Sequence, residues 1–180
     1  MKTRFIYGLM LISICLTAQA EEKKLPAALS SQPCLNANIV RQMMNACLEK
    51  ADEIGNDFVI VILDHAGKPL FTYRPPNKPE ETLDFAKGKA LMSWWLRKPT
   101  EDLGEIFNTQ TRIDMIYLEK GMHVAGIAGG IPLLYKEQRL GSIGVSGASA
   151  EEDKEVAMAG RAVLYAAVGI EASASKERSQ

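Results

Sequence analysis

The chain has 180 residues, 47% of them hydrophobic, with 21 basic and 22 acidic side chains and a net charge of −1. That length suits one domain with its own core, and a balanced charge without a basic stripe disfavours nucleic-acid binding. Two histidines and three cysteines, without Cys-x-x-Cys or His-x-x-x-His spacing, make a closed zinc site unexpected.

Residues 1–20 read as an export signal. Lys2 and Arg4 precede an apolar run from Phe5 to Ala18, and Ala18-Gln19-Ala20 supplies the small residues of a cleavage site. The run is shorter than the roughly 20 apolar residues that span a bilayer. The mature chain is expected to start at Glu21, to be periplasmic or secreted, and to carry no membrane span. Residues 21–36 mix charge, Pro and Ser without periodicity and read as a flexible leader. Cys34 and Cys47 then remain as an even pair in an oxidising compartment, which predicts a disulfide pinning the leader to the first helix. The competing reading makes Cys47 a small buried residue.

Asn36 or Asn38 caps a first helix whose apolar face is Val40, Met43, Met44, Cys47, Ala51 and Ile54, with Gly55 as its stop. Phe58 to Leu63 is an unbroken apolar run, hence a strand covered on both faces. Asp64-His65-Ala66-Gly67 is a turn, with Gly67 free to take a positive φ, and Lys68 to Arg74 returns as a second strand. The three prolines between Arg74 and Pro79 require a loop. Glu80 to Leu96 is helical, with Leu83, Ala86, Ala90, Leu91 and Trp94 on one side. Pro99 ends it, and Thr100 is expected to cap a short helix reaching Phe107. Ile113 to Tyr117 fits either a helix or a strand.

The stretch from Gly126 to Asp153 organises the rest. Ile131 to Tyr135 and Leu140 to Ser146 read as two strands around the polar break Lys136-Glu137-Gln138-Arg139. The second strand is so rich in Gly and Ser that something must approach it closely: a helix, a ligand or a neighbouring subunit. Ser149 and Glu152 form a capping box for a last helix. Its apolar stripe is Val156, Ala159, Val163, Ala166, Ala167 and Ile170, and Gly160 invites close packing. This order of elements favours an α+β fold with a mainly antiparallel sheet over a parallel one.

GGIPLLY followed by LGSIGVSGASAEED resembles the C-terminal signature of the GlcG/HbpS family, described as haem-binding or haem-degrading. LNANIVRQMMNACLEKADEIG resembles its opening helix, VIVILDHAGKPLFTYR its first hairpin, and AKGKALMSWWLRKPTEDL its middle helices, with Ala86, Lys89-Ala90 and Thr100 in matching places. The resemblance implies a profilin-like three-layer α/β/α domain over residues 37–172 with a five-stranded antiparallel sheet, and residues 173–180 as a disordered tail. The fifth strand is expected between Met122 and Ile127. A homo-oligomer and a haem or related tetrapyrrole ligand are also implied.

Haem needs one or two axial ligands and an apolar slot with a cationic rim. His65 and His123 are the histidine candidates for the iron, beside Met115, Met122, Tyr117 and Tyr135. Arg74, Lys89 and Arg112 are candidate propionate partners, and Gly129 and Gly130 either shape the pocket or serve a backbone turn. His65 also has a plain reading as a tolerated turn residue, and His123 is the first choice for the ligand, because Gly121 and Gly126 on either side let the backbone present its ring toward the glycine hairpin. Gly144-Val145-Ser146-Gly147 does not match the G-x-S-x-G elbow, and the glycine stretch lacks the Lys of a phosphate-binding loop. The Glu101-Asp102 and Glu152-Asp153 clusters read as solvated acidic turns before iron sites. Whether any catalysis occurs is left open, and a non-catalytic module for a small organic ligand is the alternative function.

Overall fold

The computed structural model describes residues 34–102, 116–118, 122–124 and 126–170. The expected export signal, most of the expected leader and the expected tail lie outside them, as do Arg112 and Met115. Helix α1, Ala37–Ile54, starts at Asn36, whose side chain accepts from the Ile39 N–H at 3.0 Å, and ends at Gly55 in the left-handed region. Leu35 is already 7% exposed, so order begins before the end of the expected leader.

Strands β1, Val59–Leu63, and β2, Pro69–Tyr73, form the expected hairpin, and α2 runs from Glu80 to Leu96. A 3-10 turn follows at Thr100–Asp102. Short strands β3, Ile116–Leu118, and β4, Met122–Val124, precede β5, Gly130–Tyr135, β6, Gln138–Ser146, and α3, Ala150–Ala167. The main sheet has four strands in the order β2-β1-β6-β5, with every pairing antiparallel. The expected fifth strand does form at Met122, but it pairs with β3 in a separate two-stranded sheet and lies against α2.

Alternation along β1 divides the core. Ile60 and Ile62 join a cluster with Met43, Met44 and Cys47 of α1 and Val156, Ala157 and Leu164 of α3. Val59, Val61 and Leu63 pack instead with Leu83, Ala86 and Ala90 of α2. The close approach to β6 comes from helices. A Cβ on Gly144 would lie 2.1 Å from the Ala86 carbonyl oxygen, and the Ser142 hydroxyl donates to the Ala90 carbonyl at 2.7 Å. On the other side, a Cβ on Gly160 would meet Cys47 Sγ at 2.6 Å. That contact turns α3 so that Val156, Ala157, Gly160 and Leu164 face inward, while Ala166 and Ala167 of the expected stripe are exposed.

The disulfide does not form. Cys47 is fully buried among α1 and α3 side chains, and burial pushes its thiol up to about 12. It stands ten residues into α1, about 15 Å along the axis from the helix start. A disulfide requires Cα atoms about 4.4–6.8 Å apart, and buried Leu35 holds Cys34 near the other end.

Candidate functional site

Three segments meet at one end of the sheet: the β1–β2 turn, the end of α2 and the β5–β6 turn. The Asp64 carboxylate accepts from the Ala66 and Lys68 N–H groups, each at 2.8 Å, and Gly67 takes φ +76°. A Cβ on Gly67 would lie 3.1 Å from the Trp94 indole, so only a residue without a side chain lets the turn rest on the ring. Trp94 Nε1 donates to the His65 carbonyl at 3.1 Å. The same ring carries the Arg139 guanidinium 4.4 Å from its centroid, a cation–π stack. His65 is thereby fixed by its backbone beside an aromatic and a cation, with its side chain exposed.

The β5–β6 connection is a two-residue turn, Lys136-Glu137, with φ of 44° and 64°. Hairpin turns of this hand favour Asn and Gly, which these residues are not. Arg97, the left-handed cap of α2 at φ 59°, holds the turn by donating from Nη2 to the Glu137 carbonyl at 2.8 Å. Among the described residues, Arg97, Lys136 and Glu137 are the non-glycine residues with positive φ. Arg139 Nη2 donates to the Trp95 carbonyl at 3.4 Å, and the Trp95 side chain is 60% exposed. Burial, and then the Arg97 charge beside it, lower the Arg139 pKa.

Lys89 belongs to a different, internal place. It is 3% exposed and its ammonium meets the Asp153 carboxylate at 2.6 Å. The second Asp153 oxygen accepts from the Ala148 N–H at 3.3 Å. Burial raises the Asp153 pKa, against the opposing pull of Lys89. Gly129 lies against this pair: a Cβ there would be 3.0 Å from Lys89 Nζ and 2.6 Å from the Val145 carbonyl oxygen. The Thr100 hydroxyl donates to the Ile127 carbonyl at 2.6 Å and accepts from the Gly130 N–H at 3.0 Å. Thr100 thus ties the 3-10 turn to β5 through its side chain. The space beside Gly129 and Gly130 is filled by protein atoms, so both glycines serve close packing.

The structure therefore separates the sequence candidates. Arg74 follows β2, one strand length of about 17 Å from the His65 turn. Its guanidinium donates to the Lys78 carbonyl and lies 3.6 Å from Glu80. His123 sits on β4 opposite Tyr117. Tyr135 is buried, and Arg112 lies outside the described residues. A groove of about 260 Å³ opens between α1 and β2, lined by Leu35, Val40, Arg41, Leu70 and Phe71. It is smaller than the roughly 300–1,000 Å³ of ligand pockets.

Sequence reading missed Trp94, Trp95, Arg97 and Arg139 as a unit and Asp153 as the partner of Lys89. The second was signalled by a lysine inside the Ala86–Ala90 stripe, which demands a buried acid. For the first, the signal was two tryptophans followed after Leu96 by Arg97 and Lys98, of which only Trp94 was read, as part of a helix face.

The family model for haem-degrading HbpS-like proteins matches residues 35–162. HbpS of Streptomyces reticuli, solved as a double mutant, superposes with a TM-score of 0.63 at 28% identity, covering 77% of this chain and 92% of that one. A PduOC complex with haem superposes with a TM-score of 0.64 at 23% identity, covering 72% and 94%. Corrinoid adenosyltransferase PduO of Salmonella typhimurium is 23% identical over 130 residues, which are 72% of this chain but 39% of PduO.

Proposed function

The chain belongs to the HbpS-like family, and from that premise we propose that it binds haem at the end of the sheet where His65, Trp94 and Arg139 meet. The observation that carries the reading is the exposed His65 side chain on a turn clamped to Trp94, beside a guanidinium stacked on the same ring. Iron needs an imidazole it can reach, and the macrocycle needs apolar surface with cations at its edge. Trp95 and Arg97 add both. The family description supports the ligand class, and PduOC, which shares the fold, was solved with haem. PduO's adenosyltransferase activity is not carried over, since the match spans 39% of that protein. The helices packed against both faces of β1 fit the profilin-like layering expected of such a domain.

Haemin titrated into the purified protein should give a saturable Soret shift. His65→Ala should alter or abolish it, while His123→Ala, at the ligand that the sequence favoured, should leave it in place. An unaltered spectrum in His65→Ala with a lost one in His123→Ala would move the iron to β4. Haemin binding no better than to an unrelated acidic protein would sink the haem reading and favour the groove at Leu35 and Phe71 as a small-ligand site. Storage, sensing and degradation are all compatible with binding, and the reading requires no catalytic step. Residues 1–20 are proposed to direct export to the periplasm or beyond. Intact-mass measurement should find the chain starting at Glu21, and full-length protein in the cytosol would refute that.

A further inference from the structure

The fold gathers cations that the sequence scatters. The β1–β2 turn, the end of α2 and the β5–β6 turn together carry Lys68, Arg97, Lys98, Lys136 and Arg139. Arg139 is half-buried, engaged with the Trp94 ring and the Trp95 carbonyl, while the other four are exposed. Two acids share these segments. The Asp64 carboxylate accepts from the Ala66 and Lys68 N–H groups, and Glu137 stands in the β5–β6 turn. Lys68, Lys98 and Lys136 form no ion pair among the described residues. This rim is therefore positive, in a chain whose net charge is −1.

The opposite end of the sheet has the opposite character. Asp57 precedes β1, Glu81 lies in the first turn of α2, and Glu151 and Glu152 open α3. Lys50 and Arg74, cations of that end, are paired with Glu53 and Glu80. A basic rim and an acidic far end turn the molecule rim-first toward an anionic surface.

Charge alone would suit any polyanion, and Trp95 narrows the choice. It is 60% exposed, the most exposed of the large apolar side chains described. Hydrogen bonds fix its place: its carbonyl accepts from Arg139 at 3.4 Å, and Arg97 donates to the Glu137 carbonyl at 2.8 Å. An indole held out among cations suits a lipid headgroup layer, where the ring sits at the interface and the ammoniums meet the phosphates. No helix among the described residues is long and apolar enough to cross a membrane, so the rim offers contact with its surface.

We propose that this rim docks on an anionic lipid bilayer, with Trp95 among the headgroups and Lys68, Arg97, Lys98 and Lys136 facing the lipid charge. The inference goes beyond the haem reading and does not rest on it, since no haem takes part in the contact.

The two tryptophans of the chain, Trp94 and Trp95, both lie at the rim, so their emission reports on it. The probes are vesicles of phosphatidylcholine alone and of phosphatidylcholine with about a third phosphatidylglycerol, each with and without brominated acyl chains. Brominated anionic vesicles should quench the emission saturably, and neutral ones should not. Residues 1–20 hold no tryptophan, so insertion through them leaves the emission unchanged. An anionic surface attracts each nearby lysine enough to change affinity about fivefold. Lys98→Gln should therefore weaken binding about fivefold, and Lys68→Gln combined with it about 25-fold. Lys50→Gln, the same charge change at the far end, should leave binding as it is. Trp95→Phe should keep most of the binding and lose the quenching, because Trp94 is covered by Gly67 and Arg139. Circular dichroism of each variant confirms folding.

Equal quenching by neutral and anionic vesicles overturns the proposal, as does binding that survives both lysine changes. Cosedimentation with vesicles but without quenching places the contact elsewhere on the chain and overturns it too. If soluble polyglutamate shifts the emission and vesicles do not, the face takes an acidic protein and the lipid reading fails. A haemin Soret shift, present or absent, leaves each of these outcomes as it stands.

Discussion

Lys89 and Asp153 lie 64 positions apart in the chain and form one of the most buried ion pairs described here. Breaking such a pair from one side costs about 3–5 kcal/mol, because the remaining charge has lost its partner. Lys89→Met should show that loss at neutral pH. The abandoned Asp153 can relieve it by taking up a proton. Burial already holds its folded-state pKa above the usual value, and loss of the ammonium raises it further. A carboxyl raised on folding gives its full contribution below the unfolded pKa of about 3.9 and loses it as pH rises through the folded value. The gap between Lys89→Met and the parent, measured by urea denaturation, should therefore narrow as the pH falls from neutral toward the ordinary carboxylate range. A gap of constant size would mean that Asp153 is not the group left exposed to the penalty. The lysine was legible as a charge among Ala86 and Ala90, but Asp153 read as a first-turn acid of α3. Nothing local distinguishes it from Glu151 or Glu152, which do face solvent or the cap. The Trp94–Arg139 stack was hidden for the same reason, since residues so far apart in sequence meet only through the sheet.

At the scale of elements, caps and strands were readable because their signals are local. Asn36, Gly55, Gly67 and the Ser149–Glu152 box all stand where expected. The unbroken run at β1 is buried at every position, as a strand covered twice must be. Two things were not readable. The pattern around Met122 could show a strand but not its partner, and β4 pairs with β3 instead of joining the sheet. The glycines of β6 announced a close neighbour without naming it, and the neighbour is α2. These contacts rank two substitutions. Gly144→Ala would push a methyl into the Ala86 carbonyl at 2.1 Å and the Ala90 nitrogen at 2.5 Å, both backbone atoms of a packed helix. Gly160→Ala would meet the Cys47 sulfur at 2.6 Å and Ile143 Cδ1 at 2.8 Å, which are side-chain ends. Overpacking costs about 1–3 kcal/mol where neighbours can adjust, and more where they cannot. Thermal or urea unfolding should place Gly144→Ala below Gly160→Ala, and Cys47→Ala should partly rescue only the latter. Equal losses, or rescue of both, would contradict the assigned contacts.

At the scale of the whole molecule, one edge of the main sheet is open among the described residues. The strand order makes β2 and β5 the edges. β5 is almost wholly buried, whereas β2 is exposed at all five positions, including Leu70 at 41%, Phe71 at 38% and Tyr73 at 36%. An edge strand carrying large apolar side chains invites pairing with another chain, and proteins that remain monomeric blunt such edges with charge or proline inside the strand. Here Pro69 stands at the first residue, and Leu70 to Tyr73 hold no charge. The groove beside it, lined by Leu35, Val40, Leu70 and Phe71, extends the apolar surface onto α1. The glycine-rich β6, whose close neighbour could from sequence be a helix, a ligand or a second subunit, is central and covered by α2, so it is not available for assembly. A homo-oligomer built through β2 is the expected state. Sedimentation of the purified protein should show a species larger than one chain, and Phe71→Lys should shift it to the monomer. Because Phe71 is already exposed, the variant monomer should keep its fold with a stability change within about 0.5 kcal/mol, as surface substitutions do. Gly144→Ala, in contrast, should lower stability without selecting the monomer at temperatures where the fold holds. A parent protein that stays monomeric at micromolar concentration, or a Phe71→Lys variant that assembles like the parent, would show that β2 is not the interface.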